Sequence, residues 1–233
     1  MRLHLVPFLA ATAMLVPLAA SAEGTPVVLE LFTSQGCSSC PPADALLTEL
    51  ARHEGVIALA LHVDYWDYLG WKDDFADPAN TARQKAYAKA ARSRSIYTPE
   101  MVVQGNERVK GHDAERIARE IARYGKKPPQ AELALSREGD TLSIHLAPTG
   151  AATGPADIHL VSFTPSQEVA IEGGENAGLD LTYTNIVTSW ETIARWDGSG
   201  PVDMRYEGLE PGPVAVIVQR SQMGQVLTAA TAE

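Results

Sequence analysis

The only cysteines in this 233-residue chain, Cys37 and Cys40, stand three positions apart in Gly36-Cys37-Ser38-Ser39-Cys40-Pro41-Pro42. A strand-like run, Val27–Thr33, precedes them, and a helix-like run, Ala43–Leu50, follows. Sulfurs at i and i+3 of a helix lie on one face, about a turn apart. Their Cα atoms then fall about 5–6 Å apart, within the range that a disulfide accepts. Such a pair opens and closes with little backbone movement, which is the geometry of a reversible redox couple. At a helix N-terminus, unpaired N–H groups and the macrodipole favour a thiolate. Cys37 is therefore read as the attacking sulfur and Cys40 as the resolving one, with exchange passing through a mixed disulfide on Cys37. Pro41 and Pro42 fall in the first turn, where a missing N–H costs little. A permanent disulfide and a chance pair of surface thiols stay open as alternatives. A permanent bond would close so small a loop that its entropic contribution is slight.

Three further features could serve that chemistry. Thr98-Pro99 stands directly before a strand-like run, and X–Pro bonds accept the cis form at modest cost. A cis bond would free the Thr98 backbone to pair with an extended partner segment; an ordinary trans proline opening an edge strand is the alternative. Glu30 interrupts an apolar strand, where a carboxylate is costly unless it has work or a partner. Burial would raise its pKa and fit it to accept the Cys40 proton, whereas a solvated rim position would make it inert. Residues 64–74 interleave Tyr65, Trp66, Tyr68 and Trp71 with Asp64, Asp67, Asp73 and Asp74. They read either as a groove wall, with Trp66 and Trp71 touching a substrate, or as an aromatic plug against the next helix.

The elements that must position these residues alternate. A strand over 26–33, a helix over 40–53 and a continuous apolar strand, Val56–Val63, come first. A helix over 79–94 follows, with Ala79, Ala82, Ala86 and Ala90 at helical spacing. Then come a hairpin about Gly105-Asn106 and a helix over 113–124 capped by Asp113. This is the thioredoxin order, and that fold places a cis-proline where Thr98-Pro99 stands. Beyond Lys126-Lys127-Pro128-Pro129, short apolar or alternating runs separated by Gly/Pro turns predict a β-sandwich. The fold expectation is thus an α/β thioredoxin-like domain, residues 23–127, followed by a mainly β, sandwich-like domain, residues 128–233.

Residues 1–22 read as a secretory signal peptide: Arg2 and His4, an apolar run from Val6 to Ala20, and a small-residue cleavage site, Ala20-Ser21-Ala22. That predicts a periplasmic or secreted protein with no membrane span after cleavage, in a compartment where disulfides persist. The net charge of −10 argues against general nucleic-acid binding. Arg83, Lys85, Lys89, Arg92 and Arg94 run without an acid among them and read as a solvated helix face.

Glu30–Asp44, His62–Trp71 and Tyr97–Met101 resemble the domain-of-unknown-function 1223 family of exported bacterial proteins. So do Gly174-Glu175-Asn176 and Leu181–Val187. The resemblance covers nearly all of the chain after the signal. It implies a thioredoxin-like fold with no established substrate. The broader thioredoxin likeness implies thiol–disulfide exchange at Cys37 and Cys40, with Pro99 as the proline on the substrate side. The intervening Ser38-Ser39 departs from the Gly-Pro of thioredoxin, so no redox potential carries over. The expected partner is a thiol- or disulfide-bearing exported protein, with no organic cofactor and no metal. Two other classes stay open: a Cu(I) carrier built on Cys37, Cys40 and His62, and a binding module whose disulfide is structural.

Overall fold

The structure, a computed structural model, describes residues 25–233; the expected signal peptide, residues 1–22, lies outside the described residues. The first half runs β1 (Val27–Thr33), α1 (Pro41–Leu50), β2 (Val56–His62), α2 (Pro78–Ala90), β3 (Glu100–Val103), β4 (Glu107–Lys110) and α3 (Ala114–Gly125). Seven strands follow: β5 (Ala131–Glu138), β6 (Thr141–Pro148), β7 (Ala156–Ala170), β8 (Asp180–Trp196), β9 (Val202–Tyr206), β10 (Val214–Arg220) and β11 (Val226–Ala232).

The expected thioredoxin-like domain followed by a separate sandwich-like domain is not what forms. The described chain is 43% strand and 18% helix, and eight strands make one mixed sheet in the order β11-β10-β7-β8-β2-β1-β3-β4. Strands from both sides of residues 127–128 share that sheet. β8 lies parallel to β2, with Ala60 opposite Ile186, and Asn185 Nδ2 donates to the Ala58 carbonyl at 2.9 Å. The sequence reading missed this because β7 and β8 are long ribbons, 15 and 17 residues, whose polar stretch at 164–170 lacks strand alternation. Cross-strand pairing along their length, with bulges near Ile158/His159 and Ser162/Phe163, supplies what local pattern does not. The remaining strands form a three-stranded sheet, β5-β6-β9, over the β7–β10–β11 end, enclosing Leu142, Ile144, Leu146, Leu160, Val216 and Val218.

β1 and β2 are parallel and in register from Val27/Val56 to Thr33/His62. Each is buried on both faces, which accounts for their continuous apolar runs. Leu29, Leu31, Ala58 and Ala60 pack against α1 and α3, while Val28, Phe32, Leu59 and Leu61 face the α2 side. α2 starts at Pro78 behind an Asp77 cap whose side chain accepts from Ala79 N at 2.7 Å. Its inward face is polar. Asn80, Thr81, Gln84 and Tyr87 are buried, while Ala79, Ala82 and Ala90 of the expected stripe face out. Hydrogen bonds compensate: Asn80 Nδ2 donates to the His62 carbonyl at 2.9 Å, and Gln84 Nε2 to Glu100 at 2.8 Å.

Gln104, at φ 52°, curls the large sheet upon itself. It pairs with Val28 through both its backbone N–H (2.7 Å) and its side-chain Oε1 (2.9 Å). On its other side it meets Val226 through its carbonyl (3.0 Å) and Nε2 (3.1 Å). One buried residue thus joins β1 to β11. A Cβ on neighbouring Gly105, at φ 67°, would stand 2.7 Å from Gln219 Nε2 and 2.8 Å from the Gly224 carbonyl, so the turn admits only glycine. Gln104→Ala leaves the Val28 N–H and the Val226 carbonyl without these partners. A loss of about 1–3 kcal/mol is expected, measured by urea denaturation; no loss would mean that apolar packing alone closes the curl.

Candidate functional site

Cys37 and Cys40 are joined, with an S–S distance of 2.11 Å and Cα atoms 5.4 Å apart. Cys40 is the N-cap of α1 and Cys37 lies ahead of the helix, in a turn closed by Cys40 N donating to the Cys37 carbonyl at 3.1 Å. Both cysteines are buried, Cys37 with 3% of its surface exposed, while Ser38 and Ser39 face solvent. The Ser39 hydroxyl lies 3.5 Å from Cys37 Sγ.

Two distant loops pin this turn. Asp73 Oδ2 accepts from Gln35 N at 2.8 Å and also meets His62 Nδ1 at 2.7 Å. Trp71 Nε1 donates to Gln35 Oε1 at 2.7 Å. Across from them, Asn176, in the loop between β7 and β8, donates through Nδ2 to the carbonyls of both Gln35 (2.8 Å) and Cys37 (3.0 Å). The two loops also touch each other: a Cβ on Gly173 would stand 2.7 Å from the Gly70 carbonyl.

The expected substrate-side residues converge on the same turn. The Thr98–Pro99 peptide is cis. Trp66 Nε1 donates to Thr98 Oγ1 at 2.7 Å, while the Trp66 backbone and Cβ lie beside Gly36, at 3.3 and 3.4 Å from where a Cβ there would sit. Pro99, Leu31 and Ala43 of α1 crowd Gly111, which donates its N–H to the Pro99 carbonyl at 2.8 Å. Trp66 and Trp71 are partly buried; Tyr68, on the same loop, is 77% exposed.

Glu30 sits elsewhere. It alternates with Leu29 and Leu31, which face α1, so its side chain lies on the α2 side of the sheet, away from Cys40. There Arg83 grips it with two bonds, 2.6 and 2.8 Å, and Tyr87 donates to it at 2.5 Å. Arg83 also donates to Gln219 at 3.0 Å and stacks 3.7 Å over the Trp190 ring. The basic residue expected on a solvated face is thus turned inward.

A different acid lies beneath the disulfide. Asp44 is one turn beyond Cys40, its N–H donating to the Cys40 carbonyl at 3.1 Å. It is 6% exposed, and neither carboxyl oxygen has a hydrogen-bond partner among the described residues. Burial, the largest cause, pushes its pKa up to about 7; His62 and the adjacent Thr33 hydroxyl pull it down, and Asp73 adds to the rise. His62 Nε2 and Tyr183 Oη are likewise buried and unpaired, and Thr33 Oγ1 makes only a weak contact with Asp44, short of a well-formed hydrogen bond. Thr33 and His62 are register partners, and the His62 and Tyr183 rings stand 4.8 Å apart. The sequence signal for Asp44 was a carboxylate in the buried stripe Ala43–Leu47, at i+4 from a cysteine. Asp73 and Asn176 carry no such signal, since only tertiary contact brings them to the site. Among the described residues, no group of three or more His, Cys, Asp or Glu converges to hold a metal.

A family model described as a protein of unknown function (DUF1223) matches residues 28–219. The chain belongs to that family. It is similar to a crystal structure of a protein from Agrobacterium tumefaciens, at 32% identity and a TM-score of 0.78, over 91% of this chain and 95% of that one. It is also similar in fold to HBP35 of Porphyromonas gingivalis, at 16% identity and a TM-score of 0.58, over 91% of this chain and 76% of that one. No curated protein matches it.

Two stability predictions follow from these opposed acids. Glu30→Gln strands a buried guanidinium and should cost about 3–5 kcal/mol, read by urea denaturation. For Asp44, the folded pKa lies above the ordinary 3.8, so the folded state is favoured while the group is protonated. That advantage is complete below about pH 4 and lost as pH rises through about 7. Asp44→Asn should therefore match the wild type near pH 4 and exceed it near pH 8, by an upper bound of about 4 kcal/mol; denaturation at the two pH values checks it.

Proposed function

We propose that this protein exchanges disulfides with thiol-bearing exported proteins through Cys37 and Cys40. The observation that carries the reading is convergence. The Cys-x-x-Cys turn, the aromatic loop and the Thr98–Pro99 segment meet at one place, joined by Trp66 and braced by Asn176 and Asp73. Bracing on both sides of Cys37 fixes the backbone, so the sulfur–sulfur bond can break and re-form between fixed Cα positions. Preorganisation of this kind serves a reacting centre.

In the oxidising direction, a partner thiolate attacks Cys37 Sγ. The bond to Cys40 breaks, Cys40 leaves as a thiolate, and the partner is held on Cys37 as a mixed disulfide. A second partner thiolate then attacks the partner's own sulfur and releases Cys37. Two electrons pass from the partner dithiol to the cysteine pair. The reverse sequence reduces a partner disulfide. Trp66 and Trp71 hold the loop against the turn, and Thr98 and Pro99 line the approach. The reading includes export, on the basic start and apolar run of residues 1–22.

One observation favours a second reading, in which the disulfide is a fixed crosslink: Cys37 is 3% exposed. The exposed Ser39 hydroxyl lies 3.5 Å from Cys37 Sγ, and exchange requires that sulfur to become accessible to the partner. Trapping separates the two readings. Cys40→Ser should retain partner proteins as mixed disulfides through Cys37, identified by mass spectrometry, and Cys37→Ser should retain none. If reduced Cys37 resists iodoacetamide under native conditions and the pair has a potential below about −300 mV, the crosslink reading replaces exchange.

A further inference from the structure

Among the described residues, most of the buried side-chain atoms without a well-formed hydrogen bond gather in one place, near Cys40. Thr33, Asp44, His62 and Tyr183 come from β1, α1, β2 and β8, yet their side chains share one buried region. Burying a polar atom without a partner costs about 1–3 kcal/mol. Asp73 occupies the other ring nitrogen of His62, so Nε2 is the nitrogen left without a partner. The same region lies one helical turn from Cys40, where i and i+4 side chains are about 5–6 Å apart. On its outer side, Asp44 borders a cleft of about 320 Å³ between α1 and the start of β8, shared with Pro41, Thr48, Glu49, Arg52 and Asp180.

We infer that Asp44 exchanges a proton with the sulfur of Cys40, in a buried cluster with Thr33, His62 and Tyr183. The inference rests on the exchange reading and adds the proton's path to it. When a partner thiolate opens the disulfide, Cys40 leaves as a thiolate and takes the proton of the Asp44 carboxyl. Cys40 becomes a neutral thiol and Asp44 a carboxylate. In the reverse direction, the Cys40 thiol gives its proton to the Asp44 carboxylate as its sulfur attacks the mixed disulfide on Cys37, and the partner sulfur departs as a thiolate. The cleft beside α1 restores Asp44 to equilibrium with solvent. An acid that titrates near neutrality suits both directions, since proton transfer is most effective when donor and acceptor lie near the working pH. The titratable and charged groups facing Asp44 are His62 and Asp73 on its buried side and Glu49, Arg52 and Asp180 across the cleft.

The wild-type protein tests this without a variant. The ¹³C resonance of the Asp44 carboxyl is titrated in the oxidised protein and after reduction with dithiothreitol. Its midpoint should differ between the two states, because the reduced state adds a titrating thiol beside it. Identical midpoints overturn the inference. The second arm loads reduced protein with a 2-nitro-5-thiobenzoate group on Cys37 and follows release of the dye by Cys40 between pH 5 and 9. Asp44→Asn should slow release about a hundredfold near neutrality and remove the carboxyl limb of the profile, while the loading rate at Cys37 stays unchanged. Equal release in variant and wild type overturns the proton role. A Cys37 that cannot be loaded overturns the exchange reading instead, and the carboxyl titration then decides whether Asp44 senses the redox state at all.

Discussion

The pairing of β8 with β2 is the constraint on which the rest of the structure depends. It is a short contact, centred on Ala60 and Ile186 and reinforced by the Asn185 side chain. Yet it converts the open edge of a four-stranded sheet into the middle of an eight-stranded one. It also fixes where the loop before β8 arrives, so that Asn176 reaches the two carbonyls on either side of Gly36. Tyr183, three residues before the contact, enters the space under α1 by the same route. The Cys-x-x-Cys turn belongs to the first half of the chain, but one of its braces, Asn176, and one of its buried neighbours, Tyr183, are delivered by the second.

The two faces of β1 show contrasting treatments of buried charge. On the α2 side, Glu30 is met by a bidentate guanidinium and a phenol, and the guanidinium by a glutamine and an indole face. The carboxylate and the guanidinium there are both answered, as a structural ion pair requires, and only the Trp190 Nε1 lacks a partner among the described residues. On the α1 side, Asp44, Thr33, His62 Nε2 and Tyr183 are left open. Unanswered groups of this kind are costly and gather where the fold is shaped for chemistry rather than for stability alone.

Much of the first half was legible in the chain. The apolar run of β2 announced a strand covered on both faces, and Asp113 marked the start of α3. The cysteine spacing announced the disulfide. What escaped detection depended on tertiary partners. The alanine stripe of α2 suggested an inward face, but a helix can bury Asn80, Gln84 and Tyr87 when each finds a hydrogen bond. Glu30 was singled out as an acid in an apolar strand, either buried or at a solvated rim; it is buried, but strand parity assigns it to the side away from Cys40. The single continuous sheet was invisible because the polar part of β7 is held in strand form by β8, not by its own composition.

The curl at Gln104 also governs how this molecule meets others of its kind. An open sheet ordinarily ends in two rows of unpaired backbone groups, each a template on which a foreign strand can grow. Here the β11 end is folded back toward β1 and has β5 packed beside it. The opposite end is β4, four residues long, three of them charged: Glu107, Arg108 and Lys110. A strand so short and so highly charged is a poor seed for edge-to-edge stacking, so a protein built mostly of strands carries a built-in guard against fibrous self-assembly.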